Sequence, residues 1–326
     1  MTAEHILREV QASISEDLRV MDEILGTVGS EIAGVLGQEG GELVAATGKR
    51  LRSTLMLLCA GMGQSRNGVA PTAAAMAELV HLATLIHDDS IDDSTLRRGR
   101  PTAHVTWNHK VATMLGDMLY SRAFELLTEL GDMRLLRVMA HATHVMAQGE
   151  LEEFLLRGTL PLEDTYLRVV HAKTAAFFGA CCRTGAILGG VPIAHQHSLA
   201  RFGESLGTAF QVVDDILDYT AEEEQIGKGM GTDLRDGIMT LPLIAALSRA
   251  GKDRHSLLAM VKGVEEDASL VEGIVASVVR HGGIEYARGV ALRLCDEARA
   301  LLAWLPPSSS SHFLDLLAQY VVQRER

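Results

Sequence analysis

The sequence is poor in cysteine and proline, and these shortages exclude several classes of protein. Its 326 residues include four cysteines and seven prolines. Cys181 and Cys182 are adjacent within apolar sequence, while Cys59 and Cys295 lie far from them. This pattern is neither a disulfide framework nor a zinc-binding spacing. We therefore expect four buried thiols in a reducing compartment.

Positive charge and long uninterrupted apolar runs are also scarce. The formal net charge is −12, and no basic stripe with interleaved aromatic residues appears, which argues against nucleic acid as a partner. No uncharged apolar run reaches the roughly 18 residues that a membrane-spanning helix requires. The first residues lack the basic region and apolar stretch of a signal peptide. These absences predict a soluble, cytoplasmic protein without a transmembrane segment.

The two-residue alternation of a half-buried strand is missing as well, and helical periodicity dominates. The apolar residues of the first stretch recur at steps of three and four, which predicts one amphipathic first helix. They are Ile6, Val10, Ile14, Leu18, Met21 and Leu25. Hydrophobic residues make up 47% of the chain, and no low-complexity linker divides it. We expect an all-α protein, a single large domain over residues 1–326, with long, mostly antiparallel helices around a central cavity.

A run of aspartates follows one of the apolar stretches. Residues 87–93 read His-Asp-Asp-Ser-Ile-Asp-Asp. In a helix, Asp88 and Asp92 lie one turn apart on one face, with Asp89 beside them. Like charges at that spacing repel, whereas Mg²⁺ takes oxygen ligands and leaves positions for phosphate oxygens. A solvated acidic turn at a helix end is the alternative interpretation.

A second cluster repeats this spacing. Asp214, Asp215 and Asp218 end the apolar stretch Phe-Gln-Val-Val-Asp-Asp-Ile-Leu-Asp of residues 210–218. Two clusters of the same form predict two carboxylate-bearing helices that face each other across one cavity, with several Mg²⁺ ions between them. Such a site would suit a polyanionic ligand, most naturally a diphosphate.

Basic residues accompany the two aspartate clusters. Residues 48–52, which come before the first cluster, either form a solvated helix start or hold a second anionic group by charge-assisted hydrogen bonds. Residues 96–102 supply more cations in a turn-prone stretch directly after the cluster. Lys173 stands in apolar sequence and either snorkels to the surface or, as we favour, points into a polar cavity. Lys228 belongs to the glycine-rich residues 227–233, which lack the form of a P-loop. This segment is interpreted either as a lid that carries a cation onto a diphosphate or as an ordinary surface loop.

Taken in order, these motifs resemble those of a known family. GKRLR, HDDxxDD, RRG, GD, KTA, FQxxDDxxD and GKxxGTD are similar to the motifs of the trans-prenyltransferases, the polyprenyl diphosphate synthases, in their long-chain bacterial form. Ser53 departs from the family pattern, which usually has proline there. The resemblance implies the all-α isoprenoid synthase fold, a homodimer, and Mg²⁺-dependent condensation of isopentenyl diphosphate with an allylic prenyl diphosphate.

The resemblance also implies roles for single residues. About three Mg²⁺ ions would be held by Asp88, Asp89, Asp92, Asp214, Asp215 and Asp218. The allylic diphosphate would contact Arg97, Lys173, Thr174, Gln211 and Lys228, and the diphosphate of isopentenyl diphosphate would contact Lys49, Arg52, His81 and Arg98. The catalytic set would be Asp88, Asp89, Asp92, Lys173, Asp214 and Lys228. No side-chain nucleophile is implied, because the released diphosphate is the family's base.

Product length is expected to depend on the helix face below the first aspartates. Ala83 and Thr84 lie five and four positions before Asp88, and their small side chains resemble those of enzymes with products of about C30 to C50. Geranylgeranyl (C20) or farnesyl diphosphate is the alternative product. Tyr120, Ala123 and Phe124 are candidates for a deeper floor. A lipid-soluble product implies transient contact with a membrane.

Three other functions compete with this one. His87-Asp88 could belong to an HD-type phosphohydrolase, but that leaves the second cluster and Lys173 unexplained. A terpene cyclase would share metal-triggered ionisation without needing a second diphosphate site. A non-catalytic regulatory subunit is disfavoured by intact carboxylates at both clusters, which still allow a catalytic subunit that requires a partner.

Overall fold

The structure is a computed structural model that describes residues 2–45, 48–63, 68–220, 231–264, 266–305 and 308–324. Within these ranges the chain is almost entirely helical, as the sequence predicted. The helices are α1 (Ala3–Ala12), α2 (Ser15–Leu36), α3 (Gln38–Ala45), α4 (Leu51–Ala60), α5 (Val69–Ile91), α6 (Ala103–Thr106), α7 (His109–Glu129), α8 (Met133–Leu156), α9 (Glu163–Val170), α10 (Ala176–Leu188), α11 (Ile193–Thr220), α12 (Thr232–Arg235), α13 (Leu241–Arg249), α14 (Arg254–Gly263), α15 (Leu270–Arg280), α16 (Gly283–Ala300) and α17 (Ser309–Val322). A π-helical turn, His171–Ala175, joins α9 to α10, and a 3₁₀ turn, Gly251–Asp253, precedes α14.

A short hairpin is the one sheet among the described residues. Strands β1 (Leu96–Arg97) and β2 (Arg100–Pro101) pair antiparallel. Arg98 and Gly99 between them have φ values of 52° and 74°, as a two-residue type I′ turn requires. The hairpin carries the paired arginines of the RRG motif directly after α5.

The sequence predicts one continuous amphipathic helix over residues 6–25, and this prediction is wrong because the structure has two helices there, α1 and α2. The helix breaks at Ser13 and Ile14, whose N–H groups donate to Val10 and Gln11 carbonyls at 3.2 Å. The Ser13 hydroxyl donates to the Val10 carbonyl as well, and such side-chain bonds compete with the helical ladder. The break lets α1 and α2 pack against different parts of the core.

The core consists of two hydrophobic clusters that share two helices. One cluster joins α2, α5, α7 and α8, and the other joins α1, α11 and the helices that follow it. Helices α4 and α10 contribute side chains to both clusters. All four cysteines are free and buried, which confirms the expectation of packing thiols.

Helix α5 is buried at the centre of its cluster. It alone among the described helices has the length and composition to cross a membrane, but 67% of its apolar window is buried inside the protein. Glu78 interrupts the uncharged run and is itself 6% exposed. Helix α5 therefore serves as a core helix, and its last turn carries the first aspartate cluster into the interior.

The two shared helices approach each other through a glycine. A Cβ built on Gly185 of α10 would lie 2.1 Å from the carbonyl oxygen of Met56 in α4. Backbone atoms cannot yield there without moving a helix, so only glycine fits this crossing.

Gly185→Ala should therefore destabilise the protein by about 1–3 kcal/mol, the usual cost of overpacking. The measurement is the free energy of unfolding from urea titration. Gly26→Ala is the matched control, since Gly26 lies within α2 with nothing within 4 Å of its added Cβ, and helix propensity should raise stability by up to about 1 kcal/mol. Equal stability of the two variants would contradict this account of the α4–α10 crossing.

Candidate functional site

The first aspartate cluster occupies the last turn of α5. Asp92 closes the helix, with its N–H on the Asp88 carbonyl at 2.8 Å. Asp89 is 4% exposed, and its Oδ2 accepts a hydrogen bond from Arg97 Nε at 2.6 Å. Arg157, after α8, contacts the Asp92 carboxylate. Two of the three carboxylates are thus held by arginines that come from other elements.

The second cluster lies on the last turns of α11. Asp215 is 3% exposed and accepts hydrogen bonds from Gln211 Nε2 at 2.9 Å and from the Tyr166 hydroxyl. Asp218 accepts from the backbone N–H groups of residues 232 and 233 at 3.0 and 3.2 Å. Asp214 pairs with Arg324, which follows α17. Five of the six aspartates, all except Asp88, are therefore held by side chains or backbone before any ligand binds.

Both clusters face one cavity of about 1770 Å³. The sequence-predicted residues that line it are Lys49, Arg52, His81, Thr84, Asp88, Arg97, Arg98, Lys173, Thr174, Gln211, Asp214, Asp215 and Asp218. Asp89, Asp92 and Ala83 are not among the lining residues, and Lys228 lies outside the described residues. The convergence that the sequence predicted is present.

Burial raises the pKa values of several carboxylates in the cavity wall. Burial, followed by the charge of Glu150, raises the pKa of Asp88 to about 7. Burial likewise raises the pKa of Asp215 to about 7 and that of Asp233 well above its ordinary range. A buried anion is costly unless it is paired, so this cavity wall favours an incoming cation.

Lys173 points into this acidic region, as the sequence interpretation favoured. Its Nζ donates to Glu150 Oε1 at 3.0 Å and also contacts Glu153. Burial would lower the pKa of Lys173, but the charges of Glu153, Glu150 and Asp88 outweigh it and raise the pKa above its ordinary value. The lysine is therefore a permanent cation beside the first cluster.

The π-helical turn and a glycine bring Lys173 to this position. A π turn inserts an extra residue into a helix and often marks a functional site. A Cβ on Gly149 of α8 would lie 2.6 Å from the backbone nitrogen of Lys173. Glycine thus lets α8 pack directly on the turn. Beside it, Thr174 Oγ1 donates to Gln211 Oε1 at 3.0 Å, which orients the Gln211 amide towards Asp215.

A second group of cations lies at the start of α4. Arg52 Nη1 is 3.2 Å from His81 Nε2, and its guanidinium lies 4.6 Å from the centre of the Phe178 ring. Burial and then Arg52 lower the pKa of His81 well below its usual range, so the neutral ring accepts this hydrogen bond. Burial and then Arg324 lower the pKa of Lys49 to about 8.

Arg98 completes this group from the hairpin. Its guanidinium lies so close to Gly48 that an added Cβ would be 2.3 Å from Nη2. Arg324 joins the same group from the far end of the chain. Its guanidinium carbon lies 3.9 Å from the centre of the Phe210 ring. Four cations, Lys49, Arg52, Arg98 and Arg324, therefore line the cavity together with the neutral ring of His81. Asp214 of α11 lies close to two of them, because it pairs with Arg324 and its charge acts on Lys49.

Several site residues escaped the sequence analysis. Glu153, Tyr166, Arg157 and Arg324 had no motif around them, and their roles arise from contacts with residues distant in sequence. Asp233 belonged to the quoted GKxxGTD motif but was given no role. Only the acidic character of Asp233 within that motif could have indicated a place in the site.

The donor set fits a hard divalent cation. Its ligand atoms are carboxylate oxygens, which Mg²⁺ prefers. Asp89 Oδ1 is buried without a hydrogen-bond partner, and Asp88 and Asp215 are held with raised pKa values that a cation would lower. The residues present therefore suit magnesium.

Apolar and weakly polar side chains also form part of the cavity wall. They include Thr84 and Leu85 of α5, Tyr120 of α7, and Met146 and Ala147 of α8. Tyr120 is half-buried, and burial raises the pKa of its hydroxyl. Of the other candidates for the floor, Ala123 is fully buried in the hydrophobic core and Phe124 stacks on Tyr120 with ring centroids 5.8 Å apart.

A family model and several relatives of this chain all indicate the same family of proteins. The sequence model of the polyprenyl synthetase family matches residues 35–278. Heptaprenyl diphosphate synthase component 2 of Geobacillus stearothermophilus is 36% identical over 98% of this chain and 99% of its own length. Octaprenyl diphosphate synthase of Escherichia coli is 34% identical over 98% of this chain and 99% of its own length.

Solved structures share the fold. The decaprenyl diphosphate synthase from Rhodobacter capsulatus superposes with a TM-score of 0.87 at 36% identity and covers 98% of this chain and 99% of its own. The polyprenyl synthase from Caulobacter crescentus, complexed with calcium and isoprenyl diphosphate, superposes with a TM-score of 0.88 at 31% identity. The match covers 100% of this chain and 98% of that one. The all-α arrangement described above is the fold of these enzymes.

Asp88→Asn should stabilise the metal-free protein at pH 8 and have a much smaller effect at pH 5. The folded-state pKa of Asp88 is about 7 against an ordinary 3.8, so the unfolded chain loses this proton first as pH rises. Between pH 3.8 and about pH 7, ionisation of Asp88 therefore lowers the free energy of unfolding by at most about 1.4 kcal/mol per pH unit. Above this range the loss stays constant.

The measurement is urea unfolding of both proteins in the presence of a chelator at the two pH values. Asp296→Asn is the control, because its side chain is 78% exposed and the substitution should give no such pH-dependent gain. Lower stability of Asp88→Asn than of the wild type at pH 8 would contradict the burial argument.

Proposed function

The chain belongs to the polyprenyl synthetase family, and from this premise we propose that it is a Mg²⁺-dependent polyprenyl diphosphate synthase. It condenses isopentenyl diphosphate with an allylic prenyl diphosphate, head to tail, to give a longer all-trans polyprenyl diphosphate. The observation that carries the proposal is the convergence of two aspartate clusters and a group of cations on one cavity that also has apolar side chains in its wall.

Magnesium is assigned to the two aspartate clusters. Its ligands would be drawn from Asp88, Asp89, Asp92, Asp214, Asp215 and Asp218, with about three ions expected. Bound there, the ions would act as Lewis acids that stabilise charge on a departing diphosphate. The calcium in the structure of the Caulobacter crescentus polyprenyl synthase supports a divalent-cation site in this chain as well.

Fixed cations share that role at the allylic diphosphate. Lys173 is held beside Asp88 by Glu150 and Glu153, and Arg97 reaches the same side of the cavity from the hairpin. Charge-assisted hydrogen bonds from these groups would strengthen as the C–O bond breaks and charge accumulates on the leaving group. Gln211, which Thr174 orients, and Lys228 complete the proposed set.

The second group of cations is assigned to isopentenyl diphosphate. Lys49, Arg52, His81 and Arg98 line the same cavity as Lys173, and Arg324 joins them. Placing two diphosphates side by side would bring the double bond of one substrate towards the allylic carbon of the other, which is catalysis by positioning. This second diphosphate site distinguishes the proposed enzyme from a terpene cyclase, and family membership excludes the HD-type phosphohydrolase.

The apolar part of the cavity protects the reaction and accommodates its product. An allylic carbocation must be kept from water, and an apolar wall does this. Loss of a proton to the released diphosphate then completes a chain longer by one isoprene unit. A base among the side chains is not required.

A long-chain product, about C30 to C50, is proposed over C20 or farnesyl diphosphate. Small residues on α5 support the proposal, because Thr84 leaves the cavity open one turn below Asp88. The relatives named heptaprenyl, octaprenyl and nonaprenyl diphosphate synthase support it too. A short-chain isoprenyl diphosphate synthase of Methanothermobacter thermautotrophicus is 35% identical over 87% of this chain, so the C20 alternative stays open to test.

Assembly and location are proposed from the same premises. We propose a cytoplasmic homodimer, a single domain over residues 1–326, whose lipid-soluble product brings it into transient contact with a membrane. Lys49 and Arg324, from opposite ends of the chain, line one cavity, which supports a single domain. Met114 and Met118 of α7 are 60% and 39% exposed, which supports burial against a second copy. The name of the heptaprenyl relative, component 2, raises a heteromeric partner as the alternative.

Asp88→Asn and Asp214→Asn should each lower turnover at least about 10²-fold at saturating Mg²⁺, the scale for losing one preorganised electrostatic contact. Turnover is measured as diphosphate release that depends on both prenyl substrates. Asp296→Asn should retain wild-type turnover. Near-native rates in both cavity variants would refute the metal assignment.

Thr84→Phe should shorten the product, because an aromatic ring on this face would fill the cavity where the growing tail passes. Products made from isopentenyl diphosphate and a C15 primer are sized by reversed-phase chromatography, with Thr84→Ser as the control of unchanged length. An unchanged product distribution in Thr84→Phe would refute the path along α5.

Ala83→Phe is the companion test. The sequence placed Ala83 with Thr84 on the helix face expected to set product length, but Ala83 is 0% exposed and packed in the hydrophobic core. The ring could act only by displacing its neighbours, so we expect a loss of stability of about 1–3 kcal/mol together with any shortening.

A further inference from the structure

Two histidines and an aspartate form a cluster outside the proposed catalytic machinery. One ring nitrogen each of His104 and His109 and one carboxylate oxygen of Asp93 all lie within 4.8 Å of one another. His109 Nε2 is 3.3 Å from Asp93 Oδ1. The two imidazole rings are stacked, with centroids 4.6 Å apart and planes 16° apart.

Three different segments bring these residues together. Asp93 follows the end of α5 in a left-handed conformation, with φ at 50°. His104 lies in α6, and His109 is the first residue of α7. A cluster built from separate segments is not a simple consequence of sequence spacing.

Hydroxyl groups orient both rings from behind. His109 Nδ1 is 2.9 Å from Ser90 Oγ, and His104 Nδ1 is 3.1 Å from Thr102 Oγ1. Thr102 is 2% exposed, so its hydroxyl is a fixed partner. In metal sites the second ring nitrogen of a histidine usually donates to an oxygen atom, most often of a carboxylate, a carbonyl or a water, which sets the orientation of the ring. A hydroxyl oxygen can accept in the same way.

We propose that Asp93, His104 and His109 bind one divalent transition-metal ion of the zinc class, separate from the magnesium site. Imidazole ligands suit zinc, nickel and cobalt, whereas magnesium takes oxygen ligands. In a tetrahedral zinc site with bonds of about 2.0–2.1 Å, neighbouring ligand atoms lie about 3.3 Å apart. The His109–Asp93 distance already matches, and the Asp93 side chain is 81% exposed and free to rotate towards the ion.

A bound ion would join the two ends of the arginine hairpin. Asp93 lies just before β1 and His104 just after β2, and the Thr102 N–H closes the base by donating to the Thr95 carbonyl at 3.1 Å. The hairpin carries Arg97 and Arg98, so the ion would brace the segment that presents both arginines to the cavity. Metal binding at these three residues is independent of the proposed function.

The test uses the full-length protein, stripped of metal and then saturated with Mg²⁺ to occupy the carboxylates. Titration with ZnCl₂ by calorimetry should show one zinc per chain, and Co²⁺ should give the visible absorption of a histidine-ligated site. Hydrogen exchange should show zinc-dependent protection of residues 91–109. Absence of zinc binding under these conditions would overturn the proposal, as would protection confined to other segments.

Variants locate the ion. The double variant His104→Gln/His109→Gln should weaken zinc binding by well over tenfold, and Thr102→Val should weaken it about tenfold by removing the hydroxyl behind the ring. His255→Gln, on the exposed side of α14, is the matched control and should bind zinc as the wild type does. Asp88→Asn should also retain zinc binding, because it alters the other site. Undiminished affinity in a correctly folded double variant, checked by circular dichroism, would overturn the assignment.

Discussion

Carboxylates buried around one cavity are the constraint on which the rest of the structure depends. Charges removed from water cost several kcal/mol each unless partners compensate them. The fold supplies these partners from distant elements: Arg97 for Asp89, Arg157 for Asp92 and Arg324 for Asp214. Among the described residues, Asp88 and Asp215 have no cationic partner at hydrogen-bonding distance, and burial raises their pKa values to about 7. Cation binding and folding stability are therefore linked through the same two groups, since a ligand carboxylate must first lose its proton.

The parts of this site that lie within one or two helical turns could be predicted from the sequence. Asp88, Asp89 and Asp92 share a helix end because the Asp-Asp-x-x-Asp spacing matches the helical repeat, and the same holds on α11. The order of the basic motifs then indicated the family and, with it, the fold. Lys173 could be placed in the cavity because a lysine in apolar sequence has few other ways to remain charged.

Contacts between distant residues could not be predicted in the same way. Nothing around Arg324 indicates that it pairs with Asp214, and nothing around Tyr166 indicates that it donates to Asp215. The break between α1 and α2 was missed because apolar spacing continues across Ser13 while the two halves bury their side chains in different clusters. The π turn at Lys173 packs directly against α8 at Gly149, and a tertiary contact of this kind cannot be predicted from local spacing.

The geometry of helix α5 would link the proposed reaction at Asp88 to the length of the product. Residues in an α-helix are rotated by about 100° each, so the position four before Asp88 lies about 40° from it, whereas the position five before lies about 140° away. Thr84 consequently shares the cavity face with Asp88, and Ala83 faces the hydrophobic core. A tail that starts at the diphosphate and runs along this helix must pass Thr84 within one turn of the reacting carbon. Changes at Thr84 can therefore alter the space for the product while leaving the aspartates in place, because the helix backbone between them is fixed by packing on α2, α4 and α7.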